Sequence, residues 1–209
     1  MTARLFQAPA AGRRAGLTLL EVIVSLAVIA VLVSIAVPAL SSARAAAHRA
    51  GCLANLRTLG VAVQMYRDDH DGALPYAERL MHVAAGWTKP LDALTPYLDS
   101  APPRVDDTGR TVTGPPWRCP ADPDFADRTG VSYGYAPIIV MPSLAANPLL
   151  DEAAARLATL THYDREPYTG LVFRDMGDSH PRVAGDDDSQ RNVLRFDGSV
   201  GPASEDDTI

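Results

Sequence analysis

The residue with the least ordinary surroundings in this sequence is Glu21, a carboxylate that directly precedes a long uncharged stretch. A charged side chain at the edge of an apolar segment is costly unless it has a partner. If the chain is cut after Gly16, Leu17 gains a free amine four residues before Glu21. The amine is positive and the carboxylate is negative, so the spacing predicts an ion pair, within one chain or between neighbouring chains.

Acidic residues collect late in the chain, where their oxygens could hold a hard cation such as calcium. Calcium takes several oxygen ligands at once, and flexible aspartate-rich loops supply them. A solvated acidic loop is the alternative interpretation. The pattern is not an EF-hand, because no twelve-residue loop ends in glutamate. The candidate ligands are Asp175, Asp178, Asp186 and Asp188, with Asp187 and Asp197 nearby.

Sequence motifs for catalysis are missing, since the chain has no HExxH, no GxSxG, no P-loop and no Rossmann pattern. We interpret His162 and His180 as ordinary polar residues and expect that the protein is not an enzyme. Its formal net charge of −6, from 19 basic and 25 acidic residues, argues against a nucleic acid partner.

The stretch Val22–Ala43 carries no charge, and its 22 residues are the length that a helix needs to cross a bilayer. A helix in the core of a soluble protein usually keeps a polar face, which this stretch lacks. Two interpretations remain. A secretory signal peptide would be cut near Ala43-Arg44-Ala45 and would release a soluble domain. A permanent membrane helix is favoured by length, because signal-peptide cores span only about 7–15 residues.

The segment Arg13-Arg14-Ala15-Gly16-Leu17-Thr18-Leu19-Leu20-Glu21 resembles the N-terminal signal of type IV pilins and type II secretion pseudopilins. In that family a prepilin peptidase cuts after a glycine and methylates the new first residue, and the fifth residue from the cut is glutamate. Glu21 is fifth from Leu17, and Pro38 is twenty-second, where many members carry a kinking proline. The departure is Leu17, because phenylalanine is usual there.

The resemblance implies processing at Gly16 and Leu17, and assembly through Glu21 and Pro38. The implied partners are the prepilin peptidase, other copies and other pilins or pseudopilins, an inner-membrane assembly platform, and membrane lipid before assembly. It places the chain in the bacterial inner membrane as a single-pass protein with a periplasmic head, and later in a periplasmic or surface filament. Because major pseudopilins often bind calcium in a C-terminal loop, it also implies calcium as the cofactor of the late aspartates.

The two cysteines, Cys52 and Cys119, lie outside the membrane in this interpretation, where a disulfide can persist. Two free buried thiols are the alternative. Both stay open, because the sequence does not give the distance between the two Cα atoms. Two cysteines are too few for a four-cysteine zinc site.

Beyond the uncharged stretch, a second pattern predicts that the same helix continues to about Arg67. The predicted helix then runs from Leu17 to Arg67 and has 51 residues. Its apolar positions recur every three or four residues, which is typical of an amphipathic helix. Turn-forming residues then end it, from Asp68 to Pro75. The apolar stripe is Cys52, Leu56, Leu59, Val63 and Tyr66.

After the helix we predict a short helix over 91–98, a loop over 101–116, another helix over 151–161, and strands over 131–141, 170–175 and 192–200. Asp197-Gly198 is predicted to turn a hairpin. Trp117-Arg118-Cys119-Pro120 and Ser132-Tyr133-Gly134-Tyr135 resemble the heads of pilin-like proteins.

The sequence therefore predicts an α+β, pilin-like fold, in which a long N-terminal helix packs on a small antiparallel sheet. The predicted divisions are a leader (1–16), a transmembrane or filament-core helix (17–43), a head (44–203) and a flexible tail (204–209). The predicted function is a structural subunit of a type II secretion pseudopilus or a type IV pilus-like filament. The alternatives are a soluble secreted protein or enzyme with an ordinary signal peptide, and an unprocessed, membrane-anchored binding protein.

Overall fold

The computed structural model describes residues 16, 18–77, 80–141, 152–165, 170–177, 180, 191–204 and 207. The chain divides into an N-terminal segment, residues 1–43, and a head, residues 44–209. Helix α1 (Leu19–Asp69) contributes to both units. The other described helices are α2 (Lys89–Leu94), α3 (Phe125–Thr129) and α4 (Glu152–Arg165). The strands are β1 (Arg104–Val105), β2 (Thr111–Val112), β3 (Tyr133–Tyr135), β4 (Leu171–Asp175), β5 (Asn192–Arg195) and β6 (Val200–Pro202).

Helix α1 has the predicted length of 51 residues, and the apolar stripe of its second half is buried in the head. The helix ends at the predicted turn. Asp71 and Gly72 have positive φ angles of 52° and 80°, and Gly72 N donates to Arg67 O at 2.8 Å. This bond satisfies one of the carbonyls that every helix leaves without a partner at its C-terminal end.

An antiparallel sheet in the order β3-β4-β5-β6 packs against the second half of α1. The close approach depends on Gly60, since a Cβ added there would lie only 2.9 Å from Leu194 Cδ1 on β5. The predicted Asp197-Gly198 turn joins β5 to β6, and Gly198 has a φ of 87°. Such an angle strains most other residues, which explains the glycine. The α+β arrangement of a long helix and a small antiparallel sheet is as predicted.

The predicted strand over 131–141 is wrong in its second half. Only Tyr133–Tyr135 pairs with β4, and Ala136–Ile139 forms a 3-10 turn. Pro137 accounts for the change, because it has no N–H group to donate to a neighbouring strand.

Two connections also differ from their predictions. The predicted loop over 101–116 contains the β1–β2 hairpin, in which Arg104 pairs with Val112. The predicted helix over 91–98 begins earlier, at Lys89, and ends as a 3-10 turn at Thr95–Tyr97, where Pro96 interrupts it. The predicted helix over 151–161 is present and extends to Arg165.

Aromatic side chains form much of the core between the sheet and the loops. Trp117, Tyr135 and Phe173 are buried, and the Phe173 ring centroid lies 5.1 Å from that of Tyr135 and 6.4 Å from that of Trp117. Desolvation disfavours an ionised phenol, so burial raises the pKa of Tyr133, Tyr135 and Tyr163 above the ordinary value.

We expect these tyrosines to make the head less stable at high pH. Above about pH 10 the phenols ionise in the unfolded chain but stay protonated in the folded head, so the unfolded state binds fewer protons. The free energy of unfolding should therefore fall by about 1.4 kcal/mol per pH unit for each such phenol. Denaturant titrations monitored by near-ultraviolet circular dichroism, at neutral and alkaline pH, measure this loss.

The matched control for this prediction is Tyr133→Phe, which removes one phenol and should make the pH dependence less steep. Tyrosinate absorbance provides the direct check on the folded protein. Titration of all seven tyrosines near pH 10 in the folded head would contradict the prediction.

Candidate processing and assembly site

Thr18 and Glu21 cap the first turn of α1 reciprocally. Thr18 N and Oγ1 donate to Glu21 Oε2 at 3.1 and 3.0 Å, and Glu21 N donates to Thr18 Oγ1 at 3.2 Å. This arrangement is a capping box, in which threonine and a glutamate three residues later satisfy each other's backbone N–H groups. Thr18 is not among the residues predicted above, although the Thr-x-x-Glu pattern is visible in the sequence. The helix therefore starts at the residues where the predicted ion pair would form.

The predicted cleavage point lies just before this cap. Gly16 is exposed, and a Cβ added to it would have no described atom within 4 Å. Leu17 lies outside the described residues. Packing among the described residues therefore does not require a glycine at position 16, and its role in processing stays a prediction.

The first half of α1 exposes apolar side chains all along its length. Within the described residues, α1 is long and apolar enough to cross a membrane. Large exposed apolar surfaces on a protein mark sites that bind lipid or other protein. The exposed residues, each 43–77% accessible, are Leu19, Leu20, Val22, Ile23, Val24, Leu26, Val28, Ile29, Val31, Leu32, Val33, Ile35, Val37 and Leu40. The first half of α1 is therefore suited to anchoring in a membrane, and its apolar side chains are exposed to whatever surrounds the helix.

The serines of this segment do not offer polar groups to their surroundings. Each hydroxyl donates to the backbone carbonyl three residues earlier, at 2.7–2.9 Å. An unsatisfied polar group in lipid costs several kcal/mol, so these internal bonds keep the segment effectively apolar. The serines are Ser25, Ser34, Ser41 and Ser42.

Pro38, predicted to act in assembly, lies inside α1. Proline has no N–H group for the helical ladder, but its carbonyl accepts the hydroxyl of Ser41 at 2.8 Å. Its role in assembly stays a prediction.

In the head, Cys52 on α1 and Cys119 in the loop before α3 form a disulfide. Their Cα atoms are 4.8 Å apart, and the bond joins positions 67 residues apart in sequence. Both residues are buried. The sequence leaves a disulfide and two free thiols open, and the structure has the disulfide. The bond links the long helix covalently to the loops of the head.

His180 and Asp175 lie beside this disulfide. His180 Nε2 is 3.7 Å from Cys119 Sγ and 3.1 Å from Asp175 Oδ2. Asp175 Oδ2 also accepts hydrogen bonds from Asn192 N at 2.7 Å and from Asn192 Nδ2 at 3.0 Å. No local sequence pattern predicts this cluster, because His180 is 61 residues from Cys119.

The structure describes only one of the four predicted calcium ligands. Asp175 is buried at the end of β4, and its carboxylate contacts His180 and Asn192. Asp197, which was named with the predicted ligands, lies at the opposite end of the β4–β5 pair from Asp175. There it accepts a hydrogen bond from Ser199 N. The calcium site stays a prediction. The other named aspartates, Asp178, Asp186, Asp187 and Asp188, lie outside the described residues.

Comparison with protein families finds two matches. A model described as a prokaryotic N-terminal methylation motif matches residues 12–37, which include Gly16, Leu17 and Glu21. A model described as a protein of unknown function (DUF1559) matches residues 41–162, more than half of the chain. Comparison with curated proteins finds no match, and comparison with solved structures finds none either. The protein therefore belongs to the DUF1559 family and is a pilin-like chain whose N-terminus carries a prepilin-type methylation motif.

Proposed function

We propose that this protein is a structural, non-catalytic subunit of a type IV pilus-like filament or a type II secretion pseudopilus. Prepilin peptidase cuts after Gly16 and methylates the amine of Leu17. The processed chain stays in the inner membrane, with its head in the periplasm, until the assembly platform adds it to a filament. The observation that carries the proposal is the combination of an N-terminal methylation motif with a capped helix whose apolar side chains are exposed.

The apolar surface of α1 supports storage in lipid followed by assembly with other helices. In the membrane, lipid covers the exposed leucine, isoleucine and valine side chains. In a filament, the same side chains pack against neighbouring helices. Because the segment is buried in both states, it needs no polar face, and its serines form their hydrogen bonds within the helix.

Glu21 supports a specific register between subunits. Its carboxylate belongs to an exposed cap at the start of the helix, close in sequence to the amine that cleavage would create. In the filament this carboxylate pairs with the Leu17 amine of an adjacent subunit. A buried charge requires such a partner, so only the arrangement that pairs the two groups is stable.

The mature N-terminus tests the proposal. We expect mass spectrometry of the protein purified from membranes of its native host to find N-methylated Leu17 as the first residue. The reason is that the bond after Gly16 lies in the matched motif and precedes the helix cap. A Gly16→Ala variant provides the comparison. It should fold like the natural protein, since a Cβ fits at this position, while its processing should be slower.

The alternatives give other N-termini. A start near Ala46 would mean an ordinary signal peptide and a soluble secreted domain. A chain that keeps Met1 and is found in membranes would mean an unprocessed, anchored binding protein. Either result would contradict the filament proposal.

The location of the filament distinguishes the two forms of the proposal. A surface pilus exposes the head to antibodies added to intact cells. A pseudopilus exposes it only after the outer membrane is permeabilised. In both cases we expect labelled filaments rather than single subunits.

A further inference from the structure

A compact set of side chains of the types that ligate metals lies in the head. The ligand atoms of Cys52, Cys119 and His180 all lie within 4.8 Å of one another. These three residues are at most 3% exposed. Asp175, which is 1% exposed, contacts His180 Nε2 through Oδ2. Two sulfurs and one imidazole nitrogen thus lie together at a buried position, and the Asp175 carboxylate borders them through its contact with His180.

Two atoms of this cluster have unused hydrogen-bonding capacity. Asp175 Oδ1 and His180 Nδ1 are buried and have no hydrogen-bond partner among the described residues. Buried polar atoms are normally satisfied, because leaving one without a partner costs free energy. Asp175 is nevertheless held firmly, since Asn192 donates to its other oxygen through both the backbone and the side chain. The carboxylate that contacts His180 therefore has one oxygen to spare, and sulfur, imidazole and carboxylate are the donors that zinc takes in proteins.

We propose that the head binds Zn²⁺ at this position while Cys52 and Cys119 are reduced. The ligands are the two thiolates, His180 Nε2 and the Asp175 carboxylate. Asn192 holds Asp175 in place through its two hydrogen bonds to Oδ2. Zinc prefers four sulfur, nitrogen or oxygen ligands, and this set of side chains supplies donors of all three kinds. Calcium prefers oxygen ligands alone, so the cluster selects against the cation suggested by the late aspartates.

Zinc and the disulfide exclude each other at this site. When Zn²⁺ binds, the two thiols release two protons and each sulfur forms a bond to the metal. When a small-molecule disulfide oxidises the pair, it accepts two electrons from the two cysteine thiolates and two protons from solution, and it becomes two thiols. The bond between Cys52 and Cys119 then forms and Zn²⁺ leaves. Either link joins α1 to the loop before α3, so the metal holds the head together before oxidation.

The test is a titration of the full chain in detergent with Co²⁺, a spectroscopic substitute for Zn²⁺, followed by displacement with Zn²⁺. The chain is reduced with a phosphine that does not bind metals. We expect one equivalent of Co²⁺ to give a sulfur-to-cobalt charge-transfer band and the intense visible bands of tetrahedral cobalt, and Zn²⁺ to abolish both. The disulfide-bonded chain should give neither band. Absence of the bands from the reduced chain would overturn the proposal.

Variants distinguish Co²⁺ binding at the proposed four-ligand site from Co²⁺ binding by the two cysteine thiols alone. His180→Ala should weaken Co²⁺ binding at least ten-fold, because mutating even an outer partner of a metal ligand typically costs about 10–100-fold in affinity. His162→Ala is the matched control, because His162 is an exposed histidine on α4 and should leave binding unchanged. Equal affinities in His180→Ala and the natural chain would overturn the proposal.

Folding is monitored in the same samples by near-ultraviolet circular dichroism. If His180→Ala does not fold, Asp175→Asn replaces it, since asparagine keeps the size of the side chain but removes its charge. This variant should also weaken Co²⁺ binding, and unchanged binding would count against the site. A reduced natural chain that is unfolded both with and without Zn²⁺ would overturn the proposal too.

Discussion

Replacing Glu21 with alanine should abolish incorporation of the chain into filaments while leaving the chain in the membrane. In the proposed filament the Leu17 amine of one subunit lies in an apolar environment and needs a carboxylate partner. Leaving a buried charge without its partner reduces the stability of a contact roughly a hundred-fold or more. Because every subunit contact repeats this loss, we expect no detectable filaments. Electron microscopy of sheared filaments and immunoblotting of membrane fractions measure the two results.

A second substitution at the same position separates the two roles of this residue. Glu21→Gln keeps a side chain that can complete the capping box with Thr18, but it has no charge. If the ion pair directs assembly, Glu21→Gln should fail as completely as Glu21→Ala. If only the helix cap matters, Glu21→Gln should assemble normally, and the proposed ion pair would be wrong.

Ser25→Ala is the control for these experiments. Ser25 lies on the same exposed part of α1, and its hydroxyl bonds only to the carbonyl of Val22 in the described structure. Removing it should change neither membrane insertion nor assembly. Normal filaments from Glu21→Ala would show that this carboxylate is not needed.

Removing the disulfide should destabilise the head by about 4 kcal/mol, because the bond closes a loop of 67 residues in the unfolded chain. The change to test is the double substitution Cys52→Ala and Cys119→Ala. A domain of this size is stable by roughly 5–15 kcal/mol in total, so the loss is a large fraction of its stability. Denaturant titrations of the detergent-solubilised chain, monitored by near-ultraviolet circular dichroism, measure it.

A reductant provides the control for the disulfide prediction. In a metal-chelating buffer, it should lower the unfolding midpoint of the natural chain and leave that of the double variant unchanged. Adding Zn²⁺ to the reduced natural chain should restore part of the lost stability if the proposed zinc site forms. Equal midpoints for the natural chain and the double variant, both without reductant, would contradict the predicted contribution of the bond.

The parts of the fold that were predictable are those governed by neighbouring residues. An uncharged stretch of 22 residues and a three-and-four spacing over Cys52–Tyr66 predicted a 51-residue helix, and the structure has one of that length. Asp197-Gly198 predicted a hairpin because the turn itself requires a positive φ, which Gly198 adopts at 87°. The Thr18 cap was also accessible from its spacing to Glu21, although it was not predicted.

Where residue types alone predicted the wrong structure, backbone hydrogen bonding between strands decided it. Val131 to Met141 contains β-branched and aromatic residues, but the sheet ends at Tyr135 because Pro137 cannot donate to it. The short β1–β2 hairpin lies in a segment whose composition is that of a loop.

The candidate sites divide in the same way. Gly16, Leu17 and Glu21 lie within six consecutive residues, so their types and order alone predict processing and charge pairing. The cluster of Cys52, Cys119, Asp175 and His180 is drawn from three separate parts of the chain. Residues so far apart meet only when α1 packs on the sheet and the loops close over it. Local spacing determines a processing motif made of neighbouring residues, whereas burial and long-range packing determine which distant side chains share a site.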